Sequence, residues 1–128
     1  MSEARQRLGR AAEALAAARL ARGGMRVVAR NVRTPEVRGE IDLIALDAGE
    51  LVFVEVKALH ADVRAGPERP ALAVGRRKQR KLRALALAWL RHRDGSLPRH
   101  ASIRFDVVGI RLDAGNRIVD WEHIRAAF

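Results

Sequence analysis

The sequence predicts an α/β fold, a mixed β-sheet of about five strands flanked by helices, in the order α-β-β-β-α-β-β. Three observations predict it. A length of 128 residues suits one domain, residues 1–128, and 48% hydrophobic residues are enough for a core. Two segments carry apolar residues at helical spacing, and several others carry β-branched or alternating apolar runs. Gly, Pro, Asn and Asp clusters separate them.

The elements follow in order. Residues 3–22 hold Leu8, Ala11, Ala12, Leu15 and Ala18 at helical spacing and end in Gly23-Gly24, so they read as an amphipathic helix. Residues 25–32 are rich in β-branched side chains and read as a strand, which Thr34-Pro35-Glu36 interrupts. Residues 40–46 and 51–57 flank the turn-like Asp47-Ala48-Gly49-Glu50 and form a β-hairpin. In its second strand Val52, Val54 and Val56 face one way, and Leu51, Phe53, Glu55 and Lys57 the other. Residues 59–73, with Gly66, Pro67 and Pro70, read as a long loop. A second helix is expected over 74–92, with Leu82, Leu85, Ala86, Trp89 and Leu90 buried. A linker at 94–98, strands at 102–112 and 117–121, and a short helix at 122–128 complete the chain.

Composition narrows the function. Cysteine is absent, which excludes a disulfide framework, thiolate zinc sites and cysteine nucleophiles, and fits a cytoplasmic location. No stretch approaches the roughly 18 apolar residues of a membrane span. The start, with Glu3 and Glu13 and no apolar core, reads as mature protein and not as a signal peptide. A net charge of +10 favours a polyanionic partner. Six of the eight positions 76–83 are basic, which makes Arg76, Arg77, Lys78, Arg80 and Lys81 candidates for phosphate contact. The plainer alternative is a solvated helix face. Two Trp, three Phe and no Tyr offer no base-stacking platform, and Trp89 and Trp121 suit a core.

The hairpin holds the chemistry. Asp42 and Glu55 lie about equally far from the turn, so they can meet across the strand pair. Adjacent carboxylates repel unless a cation sits between them. Lys57, on the face of Glu55, supplies part of that charge, and a divalent ion held by Asp42 and Glu55 would supply the rest. Ordinary solvent-facing charges are the alternative. Against it, Glu55 interrupts the apolar run 51–56, where an unpaired charge is costly. Lys57 is also one of three lysines among 25 basic residues. Glu40 is close enough to assist, as a supporting acid. Asp106 reads as a buried structural acid paired to an arginine. The histidines at 60, 92, 100 and 123 show no metal-ligand spacing and read as surface residues.

Asp42, twelve intervening residues, then Glu55-Val56-Lys57 resembles the D…(D/E)-x-K signature of the restriction-endonuclease-like nuclease superfamily. More narrowly, four blocks in order make the chain similar to the YraN-like family of small bacterial proteins. They are Gly39-Glu40-Ile41-Asp42-Leu43-Ile44-Ala45, Leu51-Val52-Phe53-Val54-Glu55-Val56-Lys57, Lys78-Gln79-Arg80-Lys81-Leu82 and Arg104-Phe105-Asp106-Val107-Val108. That family is similar to archaeal Holliday-junction resolvases, which place an acid on the first helix, where Glu13 stands. The resemblance implies a restriction-endonuclease-like domain with a Mg²⁺ (or Mn²⁺) site. Asp42, Glu55, the Val56 carbonyl and Glu13 would be its ligands, and Lys57 would act on the attacking water. Gln79, on the stripe of Leu82 and Ala86, is expected to face the sheet and orient a phosphate or water. Small neighbours of Glu13 at Gly9, Ala16 and Ala17 would let that helix approach the sheet. Where relatives often carry a hydroxyl residue or arginine after the lysine, this chain has Ala58-Leu59-His60.

Three functions remain open on the sequence. The leading one is a metal-dependent nuclease acting on nucleic acid, DNA ahead of RNA, with branched or damaged DNA as one substrate. The second is a binding module of the same fold that does not cut. The third, a scaffold for an acidic protein, has no need of Asp42, Glu55 and Lys57. Junction cleavage would need two active sites, so a homodimer is an expectation.

Overall fold

The computed structural model describes residues 2–63, 69–91 and 97–128. Helix α1 (Glu3–Arg22) starts at Ser2, whose Oγ accepts the Arg5 N–H at 3.2 Å, and stops at Gly23. Strands β1 (Arg26–Val32), β2 (Ile41–Asp47) and β3 (Glu50–His60) follow, then a 3-10 turn (Pro70–Ala73) and helix α2 (Arg76–Arg91). Strands β4 (Ser102–Leu112) and β5 (Ile118–Ile124) close the order expected from the sequence. The five strands form one sheet in the order β1-β2-β3-β4-β5, antiparallel except for the parallel pair β3/β4. That parallel pair needs a crossover, and α2 provides it.

Alternation along β3 divides the core in two. Val52 and Val54 join Leu43, Ala45, Val108 and Ile110 beneath Ala12, Ala16 and Leu20 of α1. Leu51 and Phe53 join Ile44, Phe105 and Val107 beneath Leu82, Leu85, Ala86 and Trp89 of α2. The two helices therefore cover opposite faces of the sheet, and the expected facing of the β3 residues holds.

Three details differ from expectation. β3 continues to His60, because residues 58–60 pair with Ile110, Arg111 and Leu112 of β4, so the loop begins later. Its residues 64–68 lie outside the described part, as do His92 and residues 94–96 of the expected linker. The buried stripe of α1 runs through Ala12, Glu13, Ala16, Ala17 and Leu20, leaving Ala18 exposed. Small alanines bring the helix close to the sheet and turn Glu13 inward. Lastly, residues 122–124 extend β5 instead of starting a helix, since Glu122, His123 and Ile124 pair with Gly109, Val108 and Val107. Ladder pairing overrides local helix preference there.

Gly109 marks a close approach. A Cβ at that position would lie 2.6 Å from the backbone nitrogen of Ala71, where the 3-10 turn crosses β4. Gly109→Ala should cost about 1–3 kcal/mol through overpacking, read as a lower denaturant midpoint.

Candidate functional site

The site forms where the hairpin ladder ends. β2 and β3 pair from Asp47 and Glu50 as far as Leu43 and Val54, and the next position in that register sets Asp42 against Glu55. Here the Asp42 side chain takes over from the backbone: its Oδ2 accepts the Val56 N–H at 2.8 Å. The Glu55 carboxyl is close enough to that of Asp42 to act on its titration. Burial first, then the Glu55 carboxyl, pushes Asp42 up to about 9, with the Val56 N–H working the other way. Without a cation, burial and the neighbouring carboxyl therefore favour the protonated form of Asp42.

Glu55 is 4% exposed, and its Oε2 is buried without a hydrogen bond. Its ion-pair partner is Lys78 of α2, whose Nζ approaches that oxygen to 3.2 Å off the line of a hydrogen bond. Lys57, two residues along the same strand, is half-buried.

Two more acids arrive from other elements. Helix α1 brings Glu13, 7% exposed, and the segment ahead of β2 brings Glu40. Glu13, Glu40 and Asp42 each offer a carboxylate oxygen, all within 4.8 Å of one another. Asn31 holds the first two together. In the β1/β2 register it lies opposite Asp42, and its backbone is left-handed, φ 50°, inside a strand. From there its Nδ2 donates to Glu13 Oε2 and, at 3.4 Å, to Glu40 Oε1. Burial pushes the Glu13 carboxyl up, and the Asn31 amide opposes that most strongly. Arg10 lies 3.7 Å from Glu13 and 3.5 Å from Glu40, and Arg33 lies 2.8 Å from Glu40. Gly39, just before Glu40, has φ 122°, a backbone that only glycine adopts without strain.

These groups line an open cleft of about 1040 Å³, with Glu13, Glu40, Asp42 and Glu55 on its wall and Arg10 and Arg33 beside them. Gly9 lines it too, and a Cβ there would meet nothing within 4 Å. Its smallness is therefore not used for the expected helix-to-sheet packing.

The structure therefore brings together Glu13, Asp42, Glu55 and Val56 from the sequence-predicted set. Glu40 stands among the clustered acids, where the sequence suggested only a supporting role. Gln79 donates from Nε2 to the Val74 carbonyl at 3.1 Å, which fastens it to the turn ahead of α2. Two of the expected phosphate-contacting residues are turned inward: Lys78 reaches Glu55, and Lys81 lies over Gly39. Arg76, Arg77 and Arg80 are exposed on α2.

Asp106 is buried and bonded to Arg104, as expected. His123, read as a surface residue, instead lies 2.7 Å from Asp106 through Nε2, because β5 extends past it. Sequence reasoning missed Asn31, Arg10 and Arg33. Only Asn31 left a trace: an Asn inside a β-branched run is a poor strand former.

A model of the uncharacterised protein family UPF0102 matches residues 12–110. A UPF0102 protein of Anaeromyxobacter dehalogenans is 44% identical over 126 residues, 98% of this chain and 87% of that protein. One from Moorella thermoacetica is 41% identical over 128 residues and covers 100% of both chains. One from Nocardia farcinica is 44% identical over 124 residues, 97% of this chain and 91% of its own. The present chain, matched by the family model through both blocks of acids and nearly end to end by these relatives, belongs to the uncharacterised protein family UPF0102.

Proposed function

We propose that the acid cluster is a divalent-cation site, for Mg²⁺ or Mn²⁺, and that the protein hydrolyses phosphodiester bonds in nucleic acid, with branched or damaged DNA as one substrate class. One observation carries this reading: Glu55 is buried beside a second carboxyl with an oxygen that no hydrogen bond satisfies. Burying two adjacent carboxyl groups is costly, and oxygen-rich clusters of this kind suit hard divalent cations. The donor set fits such an ion. Asp42 and Glu55 would hold it, with the Val56 carbonyl, and Glu13 and Glu40 would extend the shell. When bound, the cation supplies Lewis-acid charge and acidifies water.

The remaining work falls to the chain itself. Lys57, half-buried beside Glu55, would orient the attacking water and offset negative charge gathering on the phosphate oxygens. Gln79, with its nitrogen tied to Val74, would present its amide oxygen to that water. Asn31 would keep Glu13 and Glu40 converged. The D…(D/E)-x-K resemblance supports the same roles. Asn31→Gly, which preserves the left-handed backbone and removes the amide, should weaken Mn²⁺ binding about 10- to 100-fold, read by calorimetry.

The Lys78 contact favours a second reading. It neutralises Glu55 without a cation, as a non-cutting binding module would require. A cleavage panel separates the two. Single strands, duplex, flap and four-way-junction DNA, and RNA, are incubated with Mg²⁺ or Mn²⁺ and with EDTA. Cutting of at least one class, abolished by EDTA, is the expected result. Binding without cutting on every substrate would favour the module.

A further inference from the structure

Resting on the nucleic-acid reading above, we infer that the phosphate backbone is gripped on the α1 side of the sheet, by Arg7, Arg10 and Arg33 around the cleft, and not by the basic run of α2. The cleft that exposes the acids is lined by the first turns of α1, including Arg5, Arg7 and Arg10, and by Arg33. No residue of α2 lines it. Helix α2 reaches the acids through Lys78, which pairs with Glu55, while its exposed Arg76, Arg77 and Arg80 do not line this opening.

The α1-side guanidiniums are exposed and exchangeable. Arg7, Arg10 and Arg33 side chains are 75%, 57% and 72% exposed. Their partners are Glu3 at 3.8 Å, Glu13 and Glu40 at 3.7 and 3.5 Å, and Glu40 at 2.8 Å. The guanidinium ends stay in solvent, so a phosphate can reach and compete for the arginines. Once the acids serve a cation, Arg10 and Arg33 lose their carboxylate partners next to where the scissile phosphate must lie. Gly9 leaves the wall between them without a side chain. From Arg5 to Glu13 the helix spans about 12 Å, the rise of roughly three nucleotides along one strand. The inward turn of Lys78 and Lys81 further thins the charge that α2 presents to solvent.

The test is binding of a fluorescein-labelled 30-mer duplex and single strand, followed by anisotropy in Ca²⁺ buffer across a salt series. The full chain is compared with two triple variants, Arg7→Ala/Arg10→Ala/Arg33→Ala and Arg76→Ala/Arg77→Ala/Arg80→Ala. The α1-side triple should lose at least about 10-fold in affinity, and its salt slope should fall by about 0.9 for each phosphate contact removed. The α2 triple should stay within about threefold of the wild type. A larger loss in the α2 triple, or an equal loss in both, overturns the inference. If the α1-side triple does not fold, Arg33→Ala with its Arg33→Lys rescue decides on the same terms. The cleavage panel keeps the two readings apart. Loss of binding in the α1-side triple of a protein that never cuts leaves this surface standing without the nuclease. Cutting by a protein whose α2 triple alone loses binding does the reverse.

Discussion

Asp42→Asn should lower metal-dependent cleavage by at least about 10³-fold while leaving the fold as stable as before, or more so. The substitution keeps the shape and the acceptor for the Val56 N–H. It removes the charge that the site was built to offer a cation, and losing several kcal/mol of Lewis-acid stabilisation corresponds to that factor. Stability should not fall, because burial and the Glu55 carboxyl already disfavour the ionised form of Asp42. Lys57→Ala should behave differently, cutting about 10²-fold more slowly with metal affinity retained. Rates from both variants, set beside their thermal unfolding curves, check the pair of expectations. A slow Asp42→Asn protein that is also partly unfolded would mean that the residue is structural.

The largest stability effect should come from a second buried acid, on β4. Asp106 is fully buried and accepts from Arg104 Nε and Nη2, from the Ala126 N–H and from His123. Arg104 also reaches Asp47 and Glu50, so one guanidinium ties the β2–β3 turn to β4. Asp106→Ala leaves Arg104 and His123 facing an empty acceptor. That should cost on the order of 3–5 kcal/mol, a fall in Tm of roughly 10 °C or more. Burial alone would raise the Asp106 carboxyl, but His123, Arg104 and the Ala126 N–H outweigh it and bring it to about 2. An unfolded aspartate titrates near 3.9. With the folded value depressed, the stabilisation is fully present above about pH 4 and is lost as pH falls through 2. Urea midpoints between pH 7 and pH 2 should fall in the wild type, and Asp106→Asn should flatten part of that decline.

Much of the fold was legible because its signals are local. Gly23-Gly24 ends α1, the Asp47–Glu50 turn pairs two apolar runs, and alternation in β3 assigns its faces. The Asp42–Glu55 meeting was legible for the same reason, since a hairpin's register follows from its turn. What escaped depends on contacts between distant segments. β5 continues through His123 because its backbone pairs with Val108 of β4, which sets that side chain against Asp106. Asn31 turns left-handed because Glu13 and Glu40 converge on it from a helix and a loop. In the basic run 76–83 one periodicity puts Arg77 and Arg80 in solvent and Lys78 against Glu55. Composition counts charges but does not say which way they point.

The measurement closest to the central claim is a calorimetric titration of Mn²⁺ into the wild-type protein, with Glu55→Gln as control. The account predicts saturable binding that releases protons, since Asp42 must ionise to serve as a ligand. In a Glu55→Gln protein with an unaltered circular dichroism spectrum, that binding should be lost. No saturable binding by the wild type, or equal binding by the variant, would contradict a cation site at these carboxylates.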